Sequence, residues 1–178
     1  MRRIMLLLIA LLLCGCSYQN NDSKERDSIT KYESYLATLV EQDRFTDSSY
    51  YYDIEAYLNP LNDGTIRYDI IIENPQVAMY DIEILAVESI AKRSDTIIYP
   101  CVGIFEEESY TMIPFQKNEE EGYVEAFLLS GISGVQSPVL NVLVTWTDYS
   151  KLNTYREFIK LFPTIPEVKD EVKDVVVE

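Results

Sequence analysis

The sequence predicts a mainly β domain: an antiparallel sandwich of seven or eight strands, preceded by one amphipathic helix. Three observations predict it. From Tyr50 onward, apolar and polar residues alternate with a period of two in successive short runs. Turn-forming residues interrupt those runs about every 8–15 residues. No helical pattern separates one run from the next, which argues against a parallel sheet with crossover helices.

The helix comes first. Ile29, Tyr32, Leu36, Leu39 and Val40 recur at spacings of three and four, and no Gly or Pro interrupts the stretch from Asp22 until Pro60. That spacing predicts a helix over 24–43, with Asp22 and Glu25 resembling a capping box at its start. Its apolar stripe packs either on the domain or on a partner.

The strands follow in order. Tyr50, Tyr52, Ile54, Ala56 and Leu58 alternate with Tyr51, Asp53, Glu55 and Tyr57, which assigns Tyr50 and Tyr52 to the core and Tyr51 and Tyr57 to the polar face. Asn59-Pro60-Leu61-Asn62-Asp63-Gly64 is a turn. A second strand runs from Ile66 to Glu73 and stops at Asn74-Pro75. A third spans 79–87. Further strands are expected at 96–99, 109–114, 123–130, 139–147 and 154–161, with Ser130–Gly134 starting a long loop. Residues 164–178 have no core partner in the pattern and read as a flexible acidic tail.

Composition removes several function classes. Thirty Asp and Glu oppose fifteen Lys and Arg, a formal charge of −15, and there is no His. Nucleic acid is a poor partner for such a chain, because phosphate binding needs clustered Lys and Arg. Catalytic triads, imidazole bases and His-rich zinc sites are unavailable. No catalytic residue, metal site or cofactor is expected.

The amino terminus suggests a location. Arg2 and Arg3 precede ten apolar residues, Ile4 to Leu13. As a helix these span about 15 Å, half a bilayer core, so they have the proportions of a secretory signal. Leu13-Cys14-Gly15-Cys16 resembles the lipobox of bacterial lipoproteins. The resemblance implies cleavage between Gly15 and Cys16 and a diacylglycerol on the Cys16 thiol. It divides the chain into a signal peptide (1–15), a polar tether (16–23), the helix and its connection (24–48), the sandwich (49–163) and the tail (164–178). It also makes the lipid bilayer a partner through acylated Cys16, on an extracytoplasmic membrane face, because two acyl chains anchor a protein stably. A chain beginning at Cys16 loses Arg2 and Arg3 but no acid, so its charge falls from −15 to −17.

Within 50–162, two features resemble immunoglobulin and fibronectin type III domains. One is Gly122-Tyr123-Val124-Glu125-Ala126-Phe127, similar to the Tyr that opens the penultimate strand of those folds. The other is the closing hairpin, Asn141–Asp148 with Tyr155–Phe158. The resemblance implies an architecture and no function.

Candidate chemistry is thin. Asp53 with Glu55, Asp69 with Glu73, and Asp81 with Glu83 are carboxylate pairs, but they lie on the polar faces of strands. Glu106–Glu108 and Glu119–Glu121 are acidic runs whose consecutive side chains diverge, unlike the staggered ligands of a calcium loop. Tyr51 and Tyr57, if exposed, offer rigid contact area for a protein or glycan. Cys101, the one thiol outside the lipobox, sits in an apolar stretch and is expected to be inert. These residues favour a non-catalytic envelope-binding lipoprotein. A structural or assembly lipoprotein is the alternative, and a small hydrolase or solute-binding protein comes behind both.

Overall fold

The computed structural model describes residues 20–106 and 108–166. One helix and seven strands follow in order: α1 (Asn20–Glu41), β1 (Asp53–Pro60), β2 (Ile66–Glu73), β3 (Tyr80–Glu88), β4 (Cys101–Val102), β5 (Ala126–Ser133), β6 (Leu140–Thr147) and β7 (Thr154–Leu161). They form two antiparallel sheets, ordered β1-β2-β5 and β4-β3-β6-β7.

Alternation explains how the sheets meet. From the three-stranded sheet, Leu58, Ile66, Tyr68, Ile70, Ile72, Phe127 and Leu129 point inward. Ile82, Ile84, Ala86, Val142, Val144, Trp146 and Ile159 of the other sheet meet them in one core cluster. This shared interior is the main hydrophobic core.

β6 departs from simple alternation, because Leu140 to Trp146 are buried on both faces. The reason is α1. Tyr32, Leu36 and Leu39 lie on Leu85, Val87 and Leu143, the outward side of β3 and β6, in a second apolar cluster. The helical stripe therefore packs on its own domain. Lys31 and Tyr35 also bond Glu83 beneath the helix. After α1 the chain continues along β7, where the Thr46 amide donates to the Phe158 carbonyl at 3.0 Å and Lys160 donates to Thr46 at 2.8 Å.

Several expectations are corrected. The helix starts at Asn20 instead of 24, so Asp22 and Glu25 lie within it and the tether loses residues 20–23. β1 starts at Asp53, and Tyr50 is 94% exposed instead of buried. Because Tyr50–Tyr52 precede the strand, a period of two does not govern them. No strand forms at 96–99; the short β4 lies beyond Pro100, whose ring removes a ladder donor. Segment 109–114 makes only isolated bridges, such as Met79 with Met112, and it ends at Phe115 with φ +62°. β5 runs through Ser130–Ser133, which the pattern assigned to a loop. Gly131 is no breaker there. It pairs with Tyr68, whose ring fills the space a side chain would need. Thr164 bridges Tyr57, so the tail is fixed at least to that point. The expected signal peptide (1–15), with Gly15, and Cys16 and residues 167–178 lie outside the described residues.

Candidate functional site

The two tyrosines singled out from the sequence do not form a site together. Tyr51 is half-buried in an aromatic cluster, edge-on to Trp146 at 5.4 Å and tilted against Tyr155 at 6.3 Å. Trp146 in turn stacks on Tyr155 at 5.4 Å with a 12° interplanar angle. Tyr51 is therefore packing material rather than a free contact surface. Tyr57 lies on the outer face of β1, half-buried, and its hydroxyl donates to Glu55.

The carboxylate pairs have partners. Asp69 accepts from Asn59 Nδ2 at 2.7 Å, Ser130 Oγ at 2.6 Å and the Arg67 guanidinium at 2.9 Å. These residues come from all three strands of one sheet, so Asp69 ties together its outer face. Asp53 accepts from Asn74 Nδ2 at 2.7 Å. Asp81 and Glu83 are parted by a register shift in β3, so they do not act as a simple i, i+2 pair. Asp81 adopts φ +50° and accepts from Ser109 Oγ at 2.6 Å, Thr147 Oγ1 at 3.1 Å and Lys151 Nζ at 3.1 Å. The Ser109 hydroxyl, with Lys151 and Thr147, holds its carboxyl below the usual range. This is a bulge clamp that fixes the loops around one end of β3. Of the acidic runs, Glu106, Glu108, Glu120 and Glu121 are exposed. Among the described residues no group of three potential metal ligands converges.

Cys101 is half-buried, and burial together with the Glu106 carboxylate pushes its thiol up to about 11. Such a thiol holds almost no thiolate at neutral pH.

Among the described residues, two adjacent, largely apolar depressions have binding geometry, and the sequence pattern does not single them out. The first, about 580 Å³, runs between α1 and the segment before β4, and Ile29, Leu36, Ile97, Ile98 and Phe105 line it. Its floor is well fixed. Tyr32 stacks tilted on Phe105 at 5.4 Å, and its hydroxyl accepts from the Tyr99 amide at 2.8 Å. Tyr99 donates to Asp95 at 2.7 Å, which pins the loop. Burial and that carboxylate raise the Tyr99 phenol well above its ordinary value. The second, about 420 Å³, lies between Ile97–Cys101 and Ser130–Ile132 of β5. Ile97 and Ile98 border both. The adjacent Ile97 and Ile98, which open the apolar stretch around Cys101, are the only hint in the sequence, and alternation there predicts a strand instead.

The molecule is thus a helix-covered, two-sheet antiparallel β domain with an apolar trough along one side. No protein-family model, curated protein or solved structure matches this chain. Among the described residues no helix is long and apolar enough to cross a membrane.

Proposed function

We propose that this chain is a membrane-anchored extracytoplasmic lipoprotein whose sandwich is a non-catalytic binding module of the cell envelope. The observation that carries the binding role is the trough walled by exposed Ile29, Ile97, Ile98 and Phe105, set on a floor fixed by hydrogen bonds. An apolar concavity with a few polar groups is the usual form of a recognition site. The lipobox supports the anchor. Cys16 lies four residues before the start of α1. From Asn20 to Tyr32, the first buried contact of the helix, the axial rise is about 18 Å. A lipid on Cys16 would therefore keep the trough close to the membrane.

The strand order supports an immunoglobulin-like architecture. Immunoglobulin domains put their first, second and fifth strands in one sheet and their third, sixth and seventh in the other. The same division holds here, with the fourth strand moved beside the third. One feature of the resemblance falls away: Tyr123 precedes the fifth strand, not the penultimate one.

Two measurements test the reading. Cys16→Ala expressed in a bacterium should move the protein from the membrane to the soluble fraction, and the wild-type Cys16 peptide should carry the mass of its acyl chains. A C16A protein that stays in the membrane overturns the anchor. A photo-crosslinking residue at Ile98 should capture a discrete envelope component, whereas one at exposed Tyr50 should not. Equal capture at both positions overturns the binding role.

A further inference from the structure

Strand edges are a liability, because their unpaired backbone groups accept any further strand. Three of the four edges in this molecule are managed. β1 is capped by Thr164, through Leu58 N to Thr164 O at 2.8 Å and Thr164 N to Ala56 O at 3.3 Å. β7 is capped by Thr46, and β4 is only two residues long. β5 is different. It is eight residues long and ends its sheet, and no backbone bridge among the described residues crosses its free side. Its sequence, Ala-Phe-Leu-Leu-Ser-Gly-Ile-Ser, contains none of the charges or prolines that normally block pairing. On its outer face Leu128 is 65% and Ile132 66% exposed. The 420 Å³ cleft borders its Ser130–Ile132 end.

We propose that β5 is a dimerisation edge and that its occupant is β5 of a second copy, paired antiparallel. Charge selects this partner. In a chain of net charge −15, two copies repel across most of their surface. β5 is a neutral edge, and self-pairing sets no charge against a like charge along it. The pleat then selects the register. Opposed residues must share a face, so outward Ala126, Leu128, Ser130 and Ile132 can oppose only outward residues. Centring the two-fold axis on Ser130 sets Leu128 of each copy opposite Ile132 of the other. All four exposed apolar side chains become cross-strand pairs. The three-stranded sheet becomes a six-stranded one, in the order β1-β2-β5-β5-β2-β1. An edge of this length buries less than a standard interface, so the association is weak and depends on concentration. Because net repulsion opposes a neutral contact, salt strengthens it, whereas salt would weaken binding of a basic segment to this acidic chain.

Cysteine crosslinking in the full chain tests the register. Residues opposed across an antiparallel axis have Cα atoms about 4.5–5.5 Å apart, within disulfide reach. Ser130→Cys should give a disulfide-linked dimer under mild oxidation that the wild type, with its own cysteines, does not. Leu128→Cys alone should not crosslink, but mixed with Ile132→Cys it should. Raising NaCl from about 0.05 to 0.5 M should increase the S130C dimer as the Debye length contracts. Adding Leu128→Lys to S130C should lower it at least about tenfold, since both apolar pairs are lost. Leu128 faces solvent in the single copy, and an unchanged Trp146 emission would confirm that the variant is folded. A wild-type level of dimer in S130C, a dimer with L128C alone, or an S130C adduct with a different protein would overturn the proposal. A dimer that falls with salt would overturn its charge argument.

Discussion

Replacing Gly131 by Ala puts a methyl carbon 2.2 Å from Oη and 2.3 Å from Cζ of Tyr68. Carbon atoms in good contact sit about 3.5–4.0 Å apart, so the ring must retreat by more than 1 Å on this scale, roughly the width of a hydrogen atom. Its hydroxyl end borders the 420 Å³ cleft, but the ring itself is seated among core side chains. Tyr68 is buried in the central core beside Ile66, Ile70 and Leu129. The backbone at Gly131 is not in the left-handed region, so the substitution is opposed by packing alone. Overpacking of this kind costs about 1–3 kcal/mol, and the relief of glycine entropy offsets about 0.5–1 kcal/mol of that. Trp146 is the one tryptophan and is 2% exposed, so its fluorescence reports unfolding. Urea titration of G131A should show the midpoint falling by roughly 0.5–1 M with the slope unchanged. The decisive comparison is a double-mutant cycle. Tyr68→Ala costs about 3–5 kcal/mol by itself. In that background G131A should cost nothing or stabilise, giving a coupling above about 1 kcal/mol. Equal effects of G131A in both backgrounds would refute the steric account of the pair.

Two further predictions concern single groups. Asp81 holds φ +50° and its carboxyl lies below the usual range, so its contribution to stability is complete above the unfolded pKa of about 3.9 and fades as pH falls through the lower folded value. Urea midpoints of wild type and Asp81→Asn should therefore converge below about pH 4, and a constant gap down to pH 2.5 would contradict the ionic clamp. Cys101, with its thiol near 11, should react with a disulfide reagent at pH 7.4 at least about a hundredfold more slowly than a free cysteine, and a rate equal to the free thiol would show that the site opens.

Much of the fold was legible because most strands bury one face. β2, β3, β6 and β7 were bounded to within about two residues by alternation alone. Failures occurred where another force replaced the pleat. Tyr50–Tyr52 alternate by chance ahead of β1, and Tyr51 is held by Trp146 rather than by a ladder. Segment 109–114 alternates too, yet it curls back on itself through the Ile113–Gln116 turn. Gly131 looked like a breaker because nothing local reveals that Tyr68, sixty-three residues earlier, lies over it. The trough was illegible for the same reason. It joins Ile29 on the helix to Ile97, Ile98 and Phe105, which only the fold brings together.

The position of α1 has a consequence for the order of events during folding. It is the first described element to leave a ribosome, but its partners are Glu83, Leu85, Val87 and Leu143. The bonds that fasten it span 52 residues to Glu83 and 110 to Thr145. Most of a protein helix's stability comes from the surface its amphipathic face covers. Until β3 and β6 have paired there is no such surface, so the first element made is among the last fixed. Long-range docking of this kind slows folding and leaves the unfinished chain extended for longer.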